Sequence, residues 1–135
     1  MISTGVLANS MDDRFENTEK LYRAVYPPQV ADIFWKRDGS ISSAAFADPK
    51  GLSVDRGGGR SDEEAVADMR GRFAGHIISL YVKNCRDCKA VVRYMPSRQN
   101  RYHSQIHGGD DTILLSKSQR RALAKCAVIL TPRPL

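Results

Sequence analysis

Hydrophobic and polar positions change period several times along the chain, and each change marks an element. Phe15, Leu21, Tyr22 and Val25 fall at the spacing of one face of a short amphipathic helix over 14–26. Pro27-Pro28 closes it, because the residue before a proline is pushed out of the helical region. Residues 30–36 read as a strand or extended arm. Asp38-Gly39 is a turn signal between two apolar runs. Residues 41–47 and 51–55 read as short extended pieces, separated by a Pro49-Lys50-Gly51 break.

Ser61 with Glu64 forms a capping box, and Asp62-Glu63-Glu64 place acid where the helix dipole favours it. This predicts a helix over 62–73, with Ala65, Val66, Met69 and Phe73 inward and Gly75 closing it. Residues 76–82 and 88–94 are the clearest strands, joined by a hairpin turn over 84–87. Residues 101–107 read as another strand, ended by Gly108-Gly109. Ser116 with Gln119 is a second capping box, opening a helix over 117–130. Leu123, Cys126, Ala127 and Leu130 form its buried stripe. The fold class expected is α+β: a small, mostly antiparallel sheet with flanking helices, including a C-terminal amphipathic helix. The expected organisation is a loose N-terminal tail over 1–13, one domain over 14–130 and a C-terminal tail over 131–135.

Length and composition fit that organisation. A chain of 135 residues, 41% of them apolar, buries roughly two-thirds of its unfolded surface and needs no disulfides to hold a core. No run approaches the roughly 18 apolar residues of a membrane span. The first residues carry no basic segment ahead of an apolar run, and Asp12-Asp13 follow, so no export signal is read. Cys85, Cys88 and Cys126 are then expected to be thiols or metal ligands, and the expected compartment is cytoplasmic.

Charge changes the picture more. The formal net charge is +6. Residues 1–67 hold 8 Lys+Arg against 11 Asp+Glu, whereas residues 68–135 hold 13 against 4. The commonest partner of so basic a half is a phosphate backbone. Lys117, Arg121 and Lys125 recur every fourth residue, with Arg120 adjacent. Arg93, Arg98 and Arg101 crowd a strand and its loop beside Tyr94 and Tyr102. Arginine interleaved with tyrosine suits single-stranded nucleic acid, the arginines tracking phosphates and the rings stacking bases. The leading expectation is therefore a small basic protein engaging nucleic acid or another polyanion. Its contact residues would be Arg93, Arg98, Arg101, Tyr102, Lys117, Arg120, Arg121 and Lys125. The plainer account is charge that only keeps a small surface solvated.

A second constellation consists of Asp38, Ser42, Ser43, Ser53, Asp55 and Arg56, with His103 or His107 as a general base. The alternative function is a nuclease-like enzyme acting on a phosphate ester through Ser53, Asp55, Arg56 and His103. It requires His103 within hydrogen-bond reach of Ser53 or Asp55. The plainer account is turn and cap chemistry. Arg56-Gly-Gly-Gly-Arg60 has the look of a phosphate loop. Asp62-Glu63-Glu64 at the following helix would repel an anion, so a mobile loop is preferred.

Cys85-x2-Cys88 followed by His103-x3-His107 has Cys2His2 zinc spacing. The spacer argues against it, since His103 and His107 on one strand stand about 13 Å apart. No cofactor is favoured. Zinc on Cys85, Cys88, His103 and His107 belongs to a third possibility, a subunit docking on an acidic protein partner. A redox dithiol is disfavoured because this Cys-x-x-Cys lies between two strands.

The strings Ser42-Ser43-Ala44-Ala45-Phe46 and Leu52-Ser53-Val54-Asp55-Arg56, with His103 a few residues before Gly108, resemble a set of small uncharacterised bacterial proteins. The resemblance covers residues 21–128. It brings no activity with it, and the Cys-x-x-Cys is not a fixed element of that set. It singles out Ser43, Phe46, Ser53, Asp55 and His103 as the residues to probe first.

Overall fold

The computed structural model describes residues 14–131. The expected tail 1–13, and 132–135 of the expected C-terminal tail, lie outside the described residues. The elements are β1 (Lys20–Val25), β2 (Leu52–Arg56), α1 (Asp62–Arg70), β3 (His76–Tyr81), α2 (Val82–Asp87), β4 (Val91–Tyr94), β5 (His103–His107), α3 (Lys117–Cys126) and β6 (Val128–Ile129). All six strands form one antiparallel sheet in the order β4-β5-β2-β1-β3-β6. The α+β class expected from the sequence is the class observed. No helix among the described residues is long and apolar enough to cross a membrane.

Strand alternation gives the sheet two different faces. On the first, Leu21, Val25, Leu52, Val54, Ile78, Leu80, Val92 and Ile106 pack against Phe46, Cys85, Leu115 and Leu123. This is the main core, covered by α2, α3 and the 3₁₀ turn Ser43–Phe46. On the second face, Tyr22 and Ile77 pack against Ala65 and Met69 of α1. That helix stands on β1 and β3. Beyond it, the same face carries Ser53, Asp55, His103 and Gln105, as the register Tyr22↔Asp55, Asp55↔His103 and Ser53↔Gln105 requires.

Several elements differ from the sequence reading, each for a physical reason. The helix expected over 14–26 is strand β1. It is a central strand buried on both faces, so Leu21 and Val25 point one way and Tyr22 the other. Double burial destroys the simple alternation and leaves a spacing that imitates a helix. The hairpin expected at 84–87 is helix α2, with Val82 and Cys85 both buried three residues apart. Lys89, at φ 66°, then turns the chain. As a result β3 and β4 are not neighbours. The last helix stops at Cys126 rather than 130, and Val128–Ile129 pair with β3 instead. Two β-branched residues in sequence favour that outcome. The other departures are local. Asp32–Phe34 and Ser43–Phe46 are 3₁₀ turns where extended pieces were expected. Helix α1 ends at Arg70, which leaves Phe73 exposed.

Both capping boxes are present. Ser61 Oγ accepts from Glu64 N, and Ser116 Oγ from Gln119 N. Gln119 does more than cap, since its Nε2 donates to the carbonyls of Cys88 (3.0 Å) and Gly108 (2.9 Å). This ties the start of α3 to one end of the β4–β5 ladder. Thr131, assigned to the tail by sequence, is buried. Its Oγ1 accepts from Ile77 N at 3.3 Å and lies 2.8 Å from His76 Nδ1.

Candidate active site

The β2–β5 ladder brings the second constellation together. Asp55 sits opposite His103, and Ser53 opposite Gln105. Diagonally across the ladder, His103 Nε2 lies 3.4 Å from Ser53 Oγ. The other ring nitrogen, Nδ1, lies 2.9 Å from the Met95 carbonyl oxygen. A carbonyl only accepts, so the proton of that bond is on Nδ1. In the neutral ring Nε2 then carries the lone pair, and it faces the Ser53 hydroxyl. Ser53 is exposed on its strand, so the hydroxyl is open to a ligand.

Asp55, beside them, is 3% exposed and does not bond His103. Its carboxylate accepts from Arg72 Nη2 at 2.6 Å and from Asn100 Nδ2 at 2.8 Å. Asn100 Oδ1 in turn accepts from Tyr102 N at 3.0 Å, and Met95 N donates to the His103 carbonyl at 3.0 Å. The loop that supplies the Met95 carbonyl is thus moored to Asp55. On its other side Arg72 reaches Asp68 Oδ2 at 2.8 Å, which Arg60 Nη1 meets at 3.3 Å. Burial alone would lower the Arg72 guanidinium, but its bonds to Asp68 and Asp55 outweigh burial and the net shift is upward. Asp68 is held below the ordinary carboxylate value, chiefly by the Arg72 hydrogen bond.

These residues border a cavity of about 350 Å³, with Ser53, Asp55, Asn100 and His103 on one side and Met69 and Phe73 among its apolar lining. Arg23 also borders it, donating to the carbonyls of Ala45 (3.1 Å) and Ser53 (2.8 Å). Burial lowers its guanidinium pKa. The charged residues that border the cavity are Arg23, Asp55 and Arg72; Asp68 also bonds Arg72, and Asp48 acts on Arg23.

Arg56, expected in this group, lies elsewhere. It pairs with Glu19 at 2.7 Å and lies over the rings of Phe15 (4.2 Å) and Tyr94 (4.8 Å). The glycine loop is not a phosphate cradle, since Gly58 N donates to Glu19 Oε2 at 3.1 Å. A larger cavity beside that loop, about 830 Å³, holds Lys20, Tyr22 and Asp62. Tyr22 donates to Asp62 at 2.7 Å, and burial followed by that bond pushes its phenol up, away from activation. Ser42 Oγ caps Ala44 N at 3.1 Å, and Asp38 holds its own turn through Ser40, both as local turn chemistry expects.

Seven of the eight residues expected to bind nucleic acid fall into two separate groups. Arg98, Arg101 and Tyr102 occupy the loop at the Tyr94/Ser104 end of the β4–β5 ladder. Lys117, Arg120, Arg121 and Lys125 are on α3, whose start is tied near the Val91/His107 end. Arg93, on β4, approaches Asp110 at 3.6 Å. The possible zinc ligands do not assemble. Among the described residues no group of three or more His, Cys, Asp or Glu is placed to hold a metal ion. Cys85 is fully buried in the core, and His107 Nε2 lies 2.8 Å from Gln105 Oε1.

Sequence reasoning missed Arg72, Asn100, Arg23 and the Met95 carbonyl. Arg72 follows the helix by two residues and Asn100 sits in a polar loop, so neither carried a motif. Comparisons with known protein families, with curated proteins and with solved structures find no match to this chain.

Proposed function

We propose that the protein is a hydrolytic enzyme acting on an anionic phosphate ester, with Ser53 as nucleophile and His103 as general base. The observation that carries this reading is the His103 ring, held between the Met95 carbonyl and the Ser53 hydroxyl. A serine becomes a useful nucleophile when a positioned base takes its proton, and the base must itself be oriented by a third group. Met95 supplies that orientation here. The 3.4 Å separation is at the loose end and shortens when a substrate closes the site.

The reaction runs in two steps. Ser53 Oγ attacks phosphorus while its proton passes to His103 Nε2, and the phosphorus–alkoxide bond breaks. His103 returns the proton to the departing alkoxide. Water then attacks the phosphoserine, giving a proton to His103 Nε2, and the phosphorus–Oγ bond breaks as His103 passes that proton to Ser53 Oγ. Arg72, bordering the cavity beside Asp55, is the cation placed to meet an anionic substrate. Met69 and Phe73 suit an apolar or aromatic leaving group. Asp55 is a positioning residue: it moors the loop through Asn100 and holds Arg72.

The test is turnover of bis(p-nitrophenyl) phosphate. Ser53→Ala and His103→Gln are each expected to lower kcat/KM by on the order of 10²–10⁴. Equal turnover by wild type and Ser53→Ala contradicts the assignment.

A further inference from the structure

The Ser53–His103 site leaves most of the basic charge of the second half unused. On α3, Arg121 and Lys125 are both exposed and four residues apart, so about 6 Å along one side of the helix. They border a groove of about 670 Å³. From across it, Lys36 of the turn between Trp35 and Ile41 lines the same groove. Ser43 adds a hydroxyl, and Val128 and Ile129 add apolar surface. No carboxylate lines the groove. Some other surface cations are neutralised in pairs, such as Lys20 with Asp62 and Lys83 with Asp87. Lys36, Arg121 and Lys125 have no carboxylate partner among the described residues. Asp38, in the same turn as Lys36, accepts from Ser40 N and Oγ at 2.9 and 2.6 Å.

We infer that this groove binds the phosphodiester backbone of a single nucleic-acid strand, through Lys36, Arg121 and Lys125. The guanidinium fork matches phosphate oxygens, and lysine and serine are the other side chains that contact a phosphate backbone. Sugar and base faces rest on Val128, which is exposed, and on Ile129. Lys36 is the part that the linear sequence does not suggest. It comes from the acidic half of the chain and joins the two helix residues only through the fold. This inference is independent of the Ser53–His103 reading.

The experiment is a fluorescence-anisotropy titration of the whole protein against a short labelled oligothymidylate at several salt concentrations. Three neutralised phosphates give log K against log salt a slope of about −2 for a single strand. Lys36→Ala is expected to weaken binding and to take about 0.7 off that slope, as Arg121→Ala and Lys125→Ala each do. Arg98→Ala, on the distant loop, is expected to leave both unchanged. A Lys36→Ala protein with wild-type affinity and slope overturns the inference. So does an Arg98→Ala protein that loses as much slope as Lys36→Ala. Displacement of the oligomer by polyglutamate at equal charge concentration assigns the groove to an acidic protein and also overturns it.

Discussion

At the scale of single residues, buried polar groups are held in one ionic state by their neighbours. His76 packs edge-on to Trp35, at 5.3 Å between ring centres, and lies 2.8 Å from Thr131 Oγ1. Burial, with Arg70 nearby, lowers its pKa below the ordinary 6.5. His107 is lowered the same way, by burial and Arg93. The sign follows from linkage. The folded state favours the neutral ring, so the unfolded chain takes the proton at higher pH. The full contribution to stability is present above the ordinary value and is lost as pH falls through the folded one. Asp62 and Asp68, whose pKa values are also lowered, titrate further down. Denaturant melts should therefore show stability falling between about pH 7 and about pH 5, where histidine titrates. His76→Gln should flatten that fall. A flat wild-type profile across this window contradicts the account.

At the scale of elements, the Cys-x-x-Cys segment shows how a local pattern is re-used. The two thiols serve packing: Cys85 of α2 is fully buried, and Cys88, just past its end, lies half-buried with its Sγ 3.3 Å from the Cys85 carbonyl. Burial raises the Cys88 thiol, and Cys126 is exposed at the end of α3. Because the thiolate is the reactive form, an aromatic disulfide reagent near neutral pH should modify Cys126 first and Cys88 slowly. It should reach Cys85 only on unfolding. Cys85 reacting as fast as Cys126 would mean that α2 is not docked as described. The strongest local signals were legible in the sequence. The two capping boxes formed where the residues place them, and the strands expected over 76–82 and 101–107 formed at 76–81 and 103–107. The missed elements have different causes. Strand β1 is buried on both faces, α2 buries Val82 and Cys85 three residues apart, and β6 pairs with β3, far away in sequence. Ser53, Asp55 and His103 were legible as candidates because serine, aspartate and histidine carry chemistry by type. Arg72 and Asn100 were not, because only the exit of α1 and the 95–102 loop bring them to Asp55.

At the scale of the whole molecule, the sheet separates two tasks. One face is closed by α2, α3 and the Ser43–Phe46 turn and holds the main core. The other is covered by α1 over β1 and β3, and it opens beyond that helix at the Ser53–His103 ladder. The basic groove beside α3 and β6 shares no lining residue with that opening, so the two proposed activities use different surfaces. The chain Arg60–Asp68–Arg72–Asp55–Asn100 joins the glycine loop, α1, β2 and the 95–102 loop, and fixes the geometry of the open site. The central claim is that His103 activates Ser53. Its most direct test is a fluorophosphonate trap, which phosphonylates an activated serine whatever the natural ester. After incubation near neutral pH, peptide mass spectrometry should find the adduct on Ser53. It should be lost in Ser53→Ala and formed on the order of 10²-fold more slowly in His103→Gln. An adduct absent from Ser53, or formed there at the same rate in His103→Gln, contradicts the claim.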